Sequence, residues 1–190
     1  MRSPHRAVSA CAFLAFLGSV LNLAAGDACH SGLQPGQRPG PYAAVQATGP
    51  QRGQSSCYIC ETADKPAIVV FARSLTDPLA KLTLQIDKAV ADHKSAGLRA
   101  WVTFLNDDQP SFDAKVVKWS QEHAIRRVPL GVFEDAGGPP SYRLAREADV
   151  TVLLFVKQQV VANFAFRAGE LNDERIGEIM KALPGIVGKK

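Results

Sequence analysis

The stretch Cys57-Tyr-Ile-Cys60-Glu-Thr-Ala-Asp-Lys65-Pro-Ala-Ile-Val-Val-Phe-Ala-Arg73 joins a Cys-x-x-Cys pair to an apolar run, Ala67 to Phe71. The run is continuous rather than alternating, the pattern of a strand covered on both faces, as in a parallel sheet. It predicts the first buried strand of an α/β domain. The cysteine pair carries the most obvious chemistry in the chain, and it lies before that strand, not after it.

Moving toward the N-terminus, residues 1–26 stand apart. Arg2, His5 and Arg6 make a basic start, Ala10 to Leu23 is almost wholly apolar, and Ala24-Ala25-Gly26 supplies small residues. This is the three-part pattern of a cleaved secretory signal peptide. The apolar run falls short of the roughly 20 residues that span a bilayer, so no stable membrane insertion is expected after cleavage. Cys29, preceded by Gly26-Asp27-Ala28, lacks the leucine expected ahead of a lipidated cysteine. The mature protein is expected to be exported, periplasmic or extracellular.

Export changes the remaining numbers. Loss of Arg2 and Arg6 leaves 20 basic against 18 acidic residues, a charge of +2 instead of +4. With no Lys/Arg cluster, nothing points to a nucleic-acid partner. Cys11 leaves with the signal, and Cys29, Cys57 and Cys60 remain, an odd number for an oxidising compartment. The apolar fraction of 46% is ample for one core.

Residues 27–41 hold Gly or Pro at many positions and are expected to form a flexible, irregular lead-in. Ala43 to Thr48 and the turn Gly49 to Gly53 suggest a small hairpin ending at the cysteines. Beyond the apolar run, Asp77-Pro78 reads as an N-cap with proline at the first helical position. Leu79, Leu82, Ile86 and Val90 then recur at helical spacing until Gly97. Leu98 to Leu105 is a second strand, and Ser111 is expected to cap a second helix carrying Phe112, Val116, Trp119 and His123. Val128 to Phe133 is a third strand and Ser141 to Arg146 a short helix. Val150 to Val156 and Gln159 to Phe166 form a hairpin about Lys157-Gln158. Asn172 or Asp173 caps a last helix, which Pro184 stops.

From Ile68 the order is β-α-β-α-β-(α)-β-β-α, one domain over residues 42–187. This order resembles the thioredoxin-like fold, a three-layer α/β/α sandwich with a mixed sheet. The extra strand and short helix before the hairpin are similar to the insertion of the peroxiredoxin and TlpA-like branches. Cys-Tyr-x-Cys-Glu followed by Lys-Pro and Val-Val-Phe-Ala-Arg resembles a group of secreted bacterial thioredoxin-domain proteins.

Two departures accompany the resemblance. In redox-active relatives the Cys-x-x-Cys sits where the first strand enters its helix, and the helix N-terminus activates the first thiol. That junction here reads Ala72-Arg73-Ser74-Leu75-Thr76-Asp77-Pro78 and has no cysteine. The family's cis-proline aligns near Val150, where a trans bond is expected. The usual thioredoxin activity is therefore not carried over.

Three roles stay open for Cys57 and Cys60. One is thiol-disulfide exchange with other exported proteins, with both cysteines as catalytic residues and Lys65 or Arg73 as activating cations. Another is a static disulfide in a thioredoxin-fold module that binds partners by its surface. The third is a metal site completed by Cys29 and His30, four ligands from two segments. Glu61 stands where haem attachment requires histidine. No phosphate loop, nucleotide fingerprint or Ser-His-Asp order is present, and no cofactor is expected. Asp107, Asp108, Glu134 and Asp135 fall in separate loops without the spacing of a carboxylate dyad.

Overall fold

The computed structural model describes residues 27–188. The expected signal peptide therefore lies outside the described residues. Along the chain run β1 (Ala44–Gln46), β2 (Ser55–Ser56), α1 (Tyr58–Thr62), β3 (Ala67–Ala72), α2 (Asp77–Asp92) and β4 (Arg99–Leu105). They are followed by α3 (Gln109–Glu122), β5 (Leu130–Phe133), β6 (Val150–Val156), β7 (Gln159–Phe166), α4 (Asp173–Ala182) and α5 (Pro184–Val187). The strands form one mixed sheet in the order β2-β1-β5-β4-β3-β6-β7. β3 pairs parallel with β4 and antiparallel with β6, so both of its edges are used.

Every residue of β3 is buried, as its unbroken apolar run predicts. Ile68, Val70 and Ala72 face the larger core cluster, where Leu79, Leu82 and Ile86 of α2, Val116 and Trp119 of α3, and Ile176 and Ile179 of α4 pack. Ala67, Val69 and Phe71 face a second, smaller cluster with Leu33, Ile59, Trp101, Leu153 and Tyr142. The two outer layers are thus unequal. Three long helices cover one face; α1, a 3-10 turn at Pro140–Tyr142 and the N-terminal segment cover the other.

That N-terminal segment is irregular but is not the flexible lead-in expected from its composition. The Ser31 hydroxyl lies 2.7 Å from that of Thr151 and accepts the Ala145 N–H. Asn163 Nδ2 donates to the carbonyls of Ser31 and Leu33 at 2.8 and 2.7 Å. Gly36 and Gln37 exchange backbone bonds with Val160, and the Tyr142 hydroxyl donates to Gly40 O. Gly32 sits at φ +83, and a Cβ there would stand 2.8 Å from Thr151 Cγ2. Hydrogen bonds and close approach to β6 and β7 fix this strap, where composition alone reads as loose chain.

Several boundaries shift for physical reasons. Thr76, not Asp77, caps α2, its hydroxyl accepting the Leu79 N–H at 3.3 Å. Asp108, not Ser111, caps α3 and accepts the Ser111 N–H. The helix expected over Ser141–Arg146 is one 3-10 turn, ended by Arg143 in the left-handed region (φ 54). Pro184 opens α5 instead of ending the chain's helical run, since a proline at a first helical position forfeits no bond. Asn172 does cap α4. Lys157 and Gln158, with φ of 52 and 56, make the primed turn that a two-residue hairpin requires.

Candidate functional site

β1 and β2 pair antiparallel, Ala44 opposite Ser56, and deliver the chain to Cys57. Cys57 is the N-cap of α1, and its Sγ accepts the backbone N–H of Cys60 at 3.3 Å. The cysteine pair therefore does stand on a helical turn, although a five-residue one on the near side of β3. Cys57 and Cys60 form a disulfide with their Cα atoms 5.4 Å apart. The sulfurs are not equivalent. Cys57 is half-buried and packs against the smaller core cluster, whereas Cys60 is exposed.

The residues between them hold the turn down. Ile59 is buried, and the Tyr58 ring lies 5.5 Å from that of Trp101. The Tyr58 hydroxyl donates to Gln46 Oε1 at 2.9 Å. Burial, helped by the charge of Glu61, pushes the Tyr58 phenol up to about 12. Thr62 is fully buried and bonds back to Tyr58 O at 2.6 Å. Glu61 is exposed and lies 3.7 Å from Arg99. The two cations expected to activate the thiols lie elsewhere. Lys65 lies along Gly97, where a Cβ would meet its Cδ at 3.2 Å. Arg73 points away, into the turn after β3.

That turn is where the resemblance would place a reactive pair. The Arg73 guanidinium donates to three backbone carbonyls, those of Ala148 (2.9 Å), Ala145 (3.1 Å) and Ala136. Burial lowers its pKa, while Asp149 raises it. The Ser74 hydroxyl lies 2.7 Å from both carboxylate oxygens of Asp149, the residue before β6. No peptide bond among the described residues is cis, so the bond to Val150 is trans as expected. Thr76 is spent on its cap. Asp77 is 97% exposed at its side chain and reaches His123 only at 3.9 Å. This turn is tied shut by its own side chains.

The metal alternative does not assemble. Cys29 lies by Arg167 and Glu170, next to β7, and His30 is exposed. Burial raises the Cys29 thiol, Arg167 lowers it, and Glu170 and Glu147 raise it further. Among the described residues no three His, Cys, Asp or Glu side chains converge on a point. The loop carboxylates stabilise turns: Asp107 accepts the Ala136 N–H, Asp135 the Gly137 N–H. His123 packs on Trp119, ring centroids 5.3 Å apart.

Sequence reasoning missed Gln46, Tyr58 and Trp101 as the support of the cysteine turn, and Ser74–Asp149 as the closure of the other. The Cys-Tyr-Ile-Cys spacing offered one clue: an apolar pair inside the loop implies that the loop lies against a core.

The fold is thioredoxin-like. A solved structure from Bacteroides thetaiotaomicron, of a protein proposed to be a disulfide isomerase, superimposes with a TM-score of 0.61 at 16% identity. The match covers 84% of this chain and 94% of that one. The thioredoxin domain of a thiol-disulfide oxidoreductase from Bacteroides vulgatus gives 0.57 at 16% identity, covering 80% and 99%. The bacterioferritin comigratory protein of Xanthomonas campestris gives 0.52 at 14%, covering 77% and 92%. At 14–16% identity these likenesses show a shared fold. No protein-family model matches the chain, and neither does any curated protein sequence.

Proposed function

We propose that this is an exported protein that exchanges disulfides with other exported proteins through Cys57 and Cys60. The observation that carries the reading is the exposed position of Cys60 within an oxidised Cys-x-x-Cys. A disulfide serving only as a staple gains most when it closes a long loop. The chain-entropy model gives this four-residue loop about 2 kcal/mol, little reason to keep a reactive bond at the surface. Exchange needs no cofactor: a partner thiolate opens the bond, a mixed disulfide forms, and the partner's second thiol closes its own disulfide. The partner loses two electrons and the cysteine pair gains them.

Export is supported by the three-part pattern of residues 1–26. No helix among the described residues is long and apolar enough to cross a membrane. Fractionation of cells making the chain with and without residues 1–26 tests it; the full chain retained in the cytoplasm would end that part of the reading. Exchange is tested by incubating the oxidised mature protein with a dithiol peptide and counting thiols. Two thiols should appear on the protein for each disulfide gained by the peptide.

A second reading is a thioredoxin-fold binding module in which Cys57–Cys60 is structural. The closed Ser74–Asp149 turn supports it, because the surface that relatives devote to chemistry is given over to internal bonds. A partner captured equally well by the Cys57→Ser/Cys60→Ser protein would favour this reading.

A further inference from the structure

We infer that an incoming thiolate attacks Sγ of Cys60 and expels Cys57, so that the second cysteine of the pair is the one that carries the mixed disulfide. The inference rests on the exchange reading above and adds its direction. Displacement at sulfur runs in line: the nucleophile approaches along the S–S axis, and the far sulfur departs with the electron pair. Cys60 is exposed, while Cys57 packs against the cluster that includes Ile59, Trp101 and Tyr142. A partner as large as a protein reaches the former.

The departing sulfur is also the better prepared one. The Cys60 N–H is aimed at Cys57 Sγ at 3.3 Å, a donor already in place where negative charge develops. Buried Ile59 and the Tyr58 ring against Trp101 hold the turn, so Cys57 stays in position after the bond opens. The step balances without a further reactant. Partner S⁻ and the disulfide give a partner–S–Sγ bond at Cys60 and a thiolate at Cys57. The partner's second thiolate then displaces Cys60 as the second thiolate of the pair.

Two measurements on the mature protein test the direction. In the first, the oxidised protein meets excess cysteamine, is quenched in acid, and is mapped by mass spectrometry. Adducts at Cys60 should exceed those at Cys57 at least tenfold; equal amounts, or an excess at Cys57, would overturn the inference. Absence of adducts together with absence of free thiols would instead sink the exchange reading itself. In the second, the pH dependence of alkylation is compared for Cys60→Ser and Cys57→Ser. Serine keeps the backbone N–H, so the lone Cys57 should show a lower midpoint than the lone Cys60. The opposite order would refute the assignment of Cys57 as leaving group.

Discussion

Before β3 the chain turns its polar chemistry outward. Cys60 and Glu61 are exposed, while Cys57, Tyr58, Ile59 and Thr62 hold the turn to the sheet. After β3 the arrangement is reversed, with Arg73 bound to three carbonyls and Ser74 to Asp149. One strand therefore joins a turn that presents its disulfide at the surface to a turn whose polar groups are consumed. A position that a fold makes suitable for chemistry becomes a structural tie once its side chains find partners inside the protein. Another turn can then take the chemistry if it presents a group that nothing inside the protein uses.

The largest test of this contrast removes both sulfurs. Cys57→Ser/Cys60→Ser should abolish exchange, a loss of at least 100-fold in thiol release from a dithiol peptide. Its urea midpoint should imply a destabilisation of only about 2 kcal/mol, the entropy of a four-residue loop. Arg73→Ala should do the opposite. It leaves three carbonyls without their charged donor and should cost about 3 kcal/mol by urea denaturation, with exchange kept in the folded protein. If exchange vanished from folded Arg73→Ala, the division of labour between the turns would be broken.

Ser74→Ala should cost about 1.5 kcal/mol, the range of a hydrogen bond to a charged group, again without loss of exchange. Tyr58→Phe gives the smallest effect, about 1 kcal/mol, by removing the bond to Gln46. Tyr58 also has a pH signature. Its folded value, pushed up to about 12, lies above the ordinary phenol value of about 10, so the folded state holds the proton more tightly. The resulting stabilisation is intact below pH of about 10 and is lost as pH rises from there through about 12. Absorbance of tyrosinate should show a step near the upper value that Tyr58→Phe eliminates.

What the sequence made legible was local. The apolar run of β3, the helical recurrence in α2 and the Lys157-Gln158 hairpin all encode their structure within a few residues, and each formed where expected. Caps were legible only as a type: Thr76 and Asp77, or Asp108 and Ser111, are competing capping residues within one turn, and tertiary placement decided between them. The five residues of α1 are too few to show a period, so the helical setting of Cys57 left no trace. The Ser74–Asp149 bond spans 75 residues, and no pattern in either neighbourhood announces the other. The strap was misread because glycine and proline suit a loose segment and a close-packed one equally well. Gly32, at positive φ against Thr151, belongs to the second kind.

The strap also bears on when the fold can be completed. Ser31 meets Thr151 across 120 residues and Asn163 across 132. It is therefore among the first parts of the domain to be made and cannot dock until β6 and β7 exist. Closing so long a loop costs entropy that is recovered only at the end. One face of the sheet thus lacks part of its cover during synthesis, and that side of the domain stays open until nearly all of the chain is present. Under the export proposed above, such late closure would keep the domain from locking before transport is finished.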